Sequence, residues 1–319
     1  MNLSRILLVV GVLSVTAEVR AQADLLGPRV VGMGEATRAT ASGSAALLLN
    51  PSAMSLNRQY IIDAHYGFKI EDRGHNLMVA ITDSVTSRVA AGLFYAYINS
   101  SPKLGFHWAG GLVESTRWKR QGHVTALALS MGFGGKFNIG LLTKYLNFKT
   151  TSPLPKGTVP AKLTQNSVNG VTFDIGMTAR FSDKFNIALV AQNLWDHKSP
   201  ETPTTLGVGL AVTPIPSLSI NFDTAVNFTG HKDVKIDENF DARTKTRITA
   251  RLGPGFEWLI ANKVPLRLGV IWDSTIKSTY VAAGLGYQSK TFGIDLGYRG
   301  KVSHGVENYV LVGLRVFVN

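Results

Sequence analysis

The chain has 319 residues, enough for two soluble domains or one large barrel, and a formal net charge of +12. Hydrophobic residues make up 45% and charged ones only 17%, below the roughly 25% of an average soluble protein, which argues against an ordinary water-facing surface. Cysteine is absent, so the chain has no disulfides, and no finger, helix-turn-helix or aromatic RNA-binding motif accompanies the basic excess, so no nucleic-acid partner is expected.

At the N-terminus Arg5 precedes the apolar run Ile6 to Leu13, and small residues follow at Ala21 and Ala23, which reads as a secretory signal removed on export. Cleavage after Ala21 and cleavage after Ala23 both fit. The run is far shorter than the ~20 apolar residues of a membrane helix, and no later segment reaches that length. Removal of residues 1–21 takes away Arg5, Glu18 and Arg20 and leaves a charge of +11. For an exported chain of this kind, outer-membrane lipid and lipopolysaccharide phosphates are the expected neighbours.

Residues 22–58 do not alternate, yet they are no polar linker. The stretch contains Gly32-Met33-Gly34, a run of small residues through Ala46, then Leu47-Leu48-Leu49-Asn50-Pro51-Ser52. Three consecutive leucines are too apolar for a free tail, Pro51 fixes a turn after them, and Asn50 is expected to bond the backbone there.

Residues 59–319 repeat one scheme: segments of about ten residues alternate apolar with polar or small side chains, with turn residues between them. In 171–181, Val171, Phe173, Ile175, Met177, Ala179 and Phe181 share one face, and Thr172, Asp174, Gly176, Thr178 and Arg180 share the other. The last segment places Val310, Val312, Leu314, Val316 and Val318 together. About fourteen such strands are expected, which puts both termini on the periplasmic side. Tight links at 182–184, 214–217, 261–264 and 289–290 alternate with long ones at 99–121, 148–167 and 229–245, and all the long ones fall on one side. Aromatics gather at strand ends: Phe133, Phe137, Phe181, Phe185, Tyr287 and Phe292 flank short turns, and Phe68, Tyr97, Tyr145, Phe228, Trp272 and Tyr298 sit toward the other rim, as two interfacial girdles require. In hydrocarbon every backbone N–H and C=O must be paired internally, so a spanning sheet must close. The fold expected is therefore all-β, a transmembrane antiparallel barrel of about fourteen strands with the N-terminal segment plugging its lumen.

The alternation assigns Asp63, Lys69, Lys144, Asp174, Arg180, Asp223, Arg251, Glu257, Arg267, Asp273, Asp295, Arg299 and Arg315 to the lumen. Both signs are present, which favours pairing across strands over a selective ion path. The seven histidines are scattered without metal-ligand spacing, and there is no Gly-x-Ser-x-Gly elbow, so neither a catalytic site nor a metal or other cofactor is expected. In the loop 99–121, Lys103, Phe106, Trp108, Arg117 and Trp118 mix apolar anchors with cations, a composition suited to capturing an amphipathic acid or to anchoring at a lipopolysaccharide rim.

Gly32-Met33-Gly34, the small-residue stretch and Asn50-Pro51-Ser52 resemble the N-terminal signature of the FadL/TodX superfamily of outer-membrane fatty-acid and hydrocarbon transporters, especially its smaller PorV-like relatives. The resemblance extends to 173–194, which closes on Gln192-Asn193-Leu194, and to the last two hairpins. Ser52 stands where those relatives carry alanine, and the acidic pair they place between the two motifs is missing. The resemblance implies a Gram-negative outer-membrane barrel with an internal hatch and passive transport of small hydrophobic molecules. It also implies an alternative, a non-transport barrel serving as envelope partner of a secretion, motility or assembly machine. A wide general porin fits less well, because residues 24–58 are expected to occlude the lumen.

Overall fold

The computed structural model describes residues 24–108, 111–151, 165–197, 199, 201–230, 232–236, 242–303 and 306–318. The signal expected at 1–21 lies outside them, as do the side chains of 103–116. In chain order the strands are β1 (Tyr60–Lys69), β2 (Gly74–Asp83), β3 (Val89–Ser100), β4 (Lys103–Trp108), β5 (Gly111–Arg117), β6 (Lys119–Phe133), β7 (Phe137–Thr151), β8 (Gln165–Ser182), β9 (Phe185–Gln192), β10 (Thr205–Ile215), β11 (Leu218–Asn227), β12 (Lys232–Ile236), β13 (Ala242–Thr246), β14 (Thr249–Ile260), β15 (Val264–Asp273), β16 (Ser278–Gln288), β17 (Phe292–Lys301) and β18 (Asn308–Val318).

Fourteen of these close an antiparallel barrel in the order β1-β18-β17-β16-β15-β14-β11-β10-β9-β8-β7-β6-β3-β2. First and last strands form the seam, in register from Tyr60 opposite Val318 to Lys69 opposite Tyr309. Closure gives each strand two partners, the condition for placing backbone polar groups in hydrocarbon. Ten residues at about 3.3 Å rise, tilted by ~40°, cross roughly 25 Å, the height of a barrel's apolar band.

The period-two pattern sorts side chains by face. On β8, Ile175 and Met177 are exposed on the outside, while Thr172 and Asp174 are fully buried on the inside. On β18 the valines at 310, 312, 316 and 318 are exposed, and Tyr309, Leu311 and Gly313 face inward. Leu127, Leu129, Leu141, Leu268 and Leu296 continue the outer band, a disposition favourable only against lipid. Phe181 with Phe185 and Tyr287 with Phe292 pair across turns, with ring centroids 5.8 and 5.9 Å apart.

The long links expected at 99–121 and 229–245 differ from plain loops. Each holds a two-stranded hairpin, β4 with β5 and β12 with β13, separate from the barrel sheet. The reason is visible in the spacing of Leu104, Phe106 and Trp108, a period-two signal embedded in a mixed composition. On the same side the wall rises higher, because β6, β7 and β8 have 15, 15 and 18 residues against ten in β1 and β2.

Residues 24–58 lie inside the ring. Helix α1 (Pro28–Gly32) packs on β15–β18, the 3-10 turn Arg38–Thr40 on β9 and β10, helix α2 (Ser44–Leu49) on β2, β3 and β6, and the 3-10 turn Pro51–Ser55 on β3 and β6–β8. Pro28 opens its helix where the missing N–H has no partner to lose. Helix α2 is buried on every side: Leu47, Leu48 and Leu49 share a core with the inward-facing Phe94, Leu142, Leu146 and Phe148. Each buried leucine contributes about 1.5–3 kcal/mol. Half of the lumen is thus oily, and the segment's own leucines fill it.

Candidate functional site: the N-terminal segment and its seat

The Gly32-Met33-Gly34 motif meets the wall backbone to backbone. Gly34 has φ +61°, open to glycine and strained for other residues. Across from it, a Cβ added at Gly269 would fall 2.3 Å from the Gly34 nitrogen and the Met33 carbonyl carbon, and one at Gly255 would fall 2.4 Å from the Met33 oxygen. On β16 and β17, Gly284 and Gly297 meet Gly32 and Pro28 in the same way. Glycines from four successive strands therefore form a smooth seat, and Met33 is fully buried against it.

The Asn50-Pro51-Ser52 box is the second fixed point. Asn50 is completely buried; its Nδ2 donates to the Arg38 carbonyl and to Thr178 Oγ1, both at 2.8 Å, and its Oδ1 accepts from Ser52 Oγ at 2.6 Å and Ser52 N at 3.2 Å. Ser52 is tied to Thr178 at 2.7 Å, and its carbonyl accepts from Ser130 at 3.1 Å. One amide thus joins the segment's middle, its end and the β8 wall. Asn50→Ala should cost roughly 2–4 kcal/mol, because several buried partners lose their bonds together; denaturant midpoints in detergent check this.

Ion pairs supply the remaining anchors. Arg29 reaches Glu257 through two bonds of 2.9 and 2.8 Å, and Glu257 and Asp295 each accept from Arg267 at 2.6 Å. Asp223 accepts the backbone N–H groups of Thr37 and Arg38 and pairs with the Arg38 guanidinium at 3.2 Å. Asp63 accepts from Ser44 N at 2.6 Å and from Arg315 at 2.8 Å. Glu35 takes Arg299 at 2.8 Å and Arg251 at 3.0 Å, and Arg251 also meets Asp273 at 3.2 Å. At the rim with the long loops, Asp24 pairs with Lys69 at 2.9 Å and Arg120 at 2.8 Å. Lys144 binds Asp174 and Asn193, both at 2.7 Å, and Arg180 donates to the Leu56 carbonyl at 3.0 Å. All thirteen charges that alternation assigns to the lumen stand on the inner face in these pairs.

Burial opposes charge at Asp24 and Glu307, but Lys69 with Arg120 holds the first carboxyl below the ordinary range, and Lys69 with Arg299 does so for the second. A carboxylate whose folded pKa is lowered stabilises fully above its unfolded value, about 4, and loses that contribution as pH falls further. The folded band on unboiled gels should therefore hold constant heat resistance from pH 8 to 5 and lose it below about 4.

The proposed capture surface is placed differently from the expectation. Trp118 is 4% exposed, and Arg117 donates to the carbonyls of Ser101 and Glu71, so both brace the foot of the β4–β5 hairpin. They follow the hairpin's end, where the chain turns back into the wall. Lys103, Phe106 and Trp108 lie on β4, with side chains outside the described part. The partners Asp24, Arg29, Glu35, Arg38, Arg120, Glu201 and Glu307 escape sequence reasoning; the one available signal is that lumen charges demand counterparts from the segment that fills it.

Between the segment and the wall, Leu26, Leu49, Arg38, Arg251, Gln192 and Glu201 help line a cavity of about 60 Å³. That is well below the ~150 Å³ that holds a benzene.

No family model and no curated protein matches the sequence. Solved structures do match. The Ralstonia pickettii toluene transporter TbuX aligns at TM-score 0.66 and 14% identity over 93% of this chain and 99% of its own. The CymD monoaromatic hydrocarbon channel aligns at 0.67 and 12% over 92% and 97%, and a Pseudomonas aeruginosa FadL homologue at 0.64 and 10% over 91% and 97%. At these identities the likeness concerns architecture: the chain has the fold of the FadL/TodX hydrocarbon channels.

Proposed function

We propose that this barrel lies in the outer membrane of a Gram-negative bacterium and passes small hydrophobic molecules, of hydrocarbon or fatty-acid type, without an energy source. The observation that carries this reading is a fold shared with hydrocarbon channels along nearly the whole of both chains, N-terminal segment included. Because one fold hosts several functions, the substrate has to be read from uptake. A deletion strain supplied with limiting labelled toluene or long-chain fatty acid should take up less of at least one, with recovery when this chain is restored. Unchanged uptake of both would remove the reading. Phe106→Ala with Trp108→Ala should lower that uptake at normal surface levels, whereas Trp118→Ala should lower the amount of folded barrel.

One observation favours a second reading. A 60 Å³ cavity beside so many anchors suits a fixed barrel of the PorV-like kind, held as the envelope partner of a larger machine. A stoichiometric companion in gently solubilised envelopes, with uptake unchanged on deletion, would select it.

A further inference from the structure

Asp24 begins the described segment inside the lumen, at the rim with the long loops. Its carbonyl accepts from Tyr309 OH at 2.8 Å and from Asn76 Nδ2. Its carboxylate is held by Lys69 and Arg120, and these cations lead further. Lys69 meets Glu307 at 3.4 Å and Asp72 at 3.6 Å; Arg120 grips Glu201 with bonds of 3.0 and 2.7 Å; Arg299 bridges Glu307 to Glu35. Glu35 shares Arg251 with Asp273. Among the described residues this chain of ion pairs joins six carboxylates to four cations. It is closed to water at its centre: Asp24, Arg120 and Arg299 are each 3% exposed and Glu201 is 2% exposed.

A buried network with more acids than bases is short of positive charge, and isolated buried carboxylates are costly. Burial pushes the Asp72 carboxyl up, as such a shortage requires. The sequence supplies a cation at this point. Ala21-Gln22-Ala23 immediately precedes Asp24, with small residues one and three places before the Ala23–Asp24 bond, the pattern an export peptidase cuts. Hydrolysis adds water across that amide: Ala23 leaves on the signal as a carboxylate, and the Asp24 nitrogen takes up a proton as an α-ammonium. A cut after Ala21 would instead leave Gln22 and Ala23 attached and carry the ammonium two residues away.

We propose that the bond cut on export is Ala23–Asp24, and that the freed α-ammonium is a structural cation of the buried network, fastening the start of the lumen segment to the wall. Cleavage and sealing are then one event, since the uncut chain lacks the charge that completes the cluster.

N-terminal sequencing and intact mass of the barrel purified from outer membranes should give Asp24 as first residue; a start at Gln22 overturns the proposal. In the folded protein in detergent, reductive methylation of the Asp24 amine, read on the N-terminal peptide, should be slower than in the boiled protein by on the order of tenfold or more, as expected for an amine held charged by buried acids. Equal rates would contradict it. Inserting Gly-Ser between Ala23 and Asp24 preserves the cut but displaces the ammonium. The temperature at which the unboiled band converts to the denatured one should then fall; an unchanged temperature would show that the ammonium fastens nothing.

Discussion

Replacing Arg120 by methionine is expected to cost the folded barrel roughly 3–5 kcal/mol, the usual loss when one partner of a buried ion pair is removed. Its guanidinium is the sole printed ionic partner of Glu201 and one of two for Asp24, so both acids would be left poorly compensated within the lumen. Urea unfolding in detergent measures the loss. Glu201→Gln in the same chain should recover part of it, because the stranded charge is then gone. Lys149→Met, on the outer face of β7 where the residue is exposed, should stay within about 0.5 kcal/mol of the parent.

Gly269→Leu should unseat the N-terminal segment. The new Cβ would fall 2.3 Å from backbone atoms of Met33 and Gly34, and β15 is bonded to both neighbours, so the movable party is the segment. In planar bilayers the variant should carry a steady ion current that the parent lacks. Leu268→Ala, one residue away but 60% exposed on the outside, should carry none. A Gly269→Leu barrel that runs as a folded band yet remains electrically closed would show that the segment does not block the bore there.

The architecture was legible in the sequence because a barrel wall is built from local information. Val171 to Phe181 declares its two faces by spacing alone, and the charges from Asp63 to Arg315 fall inward by the same count. The hairpin β4–β5 was less visible, since its alternation is mixed with lysine, arginine and glycine. The seat of the segment was not legible. That Gly34 lies against Gly269, that Asn50 reaches Thr178, and that Asp24 meets Arg120 depend on how a non-alternating stretch folds inside a closed ring, and no local period encodes such contacts. Trp118 shows the opposite hazard: an aromatic beside cations reads as a capture surface, while its burial makes it a brace.

Outward grease, inward charge and an enclosed segment all depend on the first strand pairing with the last. Ile62 and Val316 face each other across that seam, Ile62 faces Ile81 on its other side, and the chain has no cysteine of its own. Ile62→Cys with Val316→Cys, oxidised in outer membranes, should form a disulfide that alters mobility on boiled, unreduced gels, as should Ile62→Cys with Ile81→Cys. A chain in which the second pair links and the first never does would be an open sheet, and the closed barrel would have to be given up.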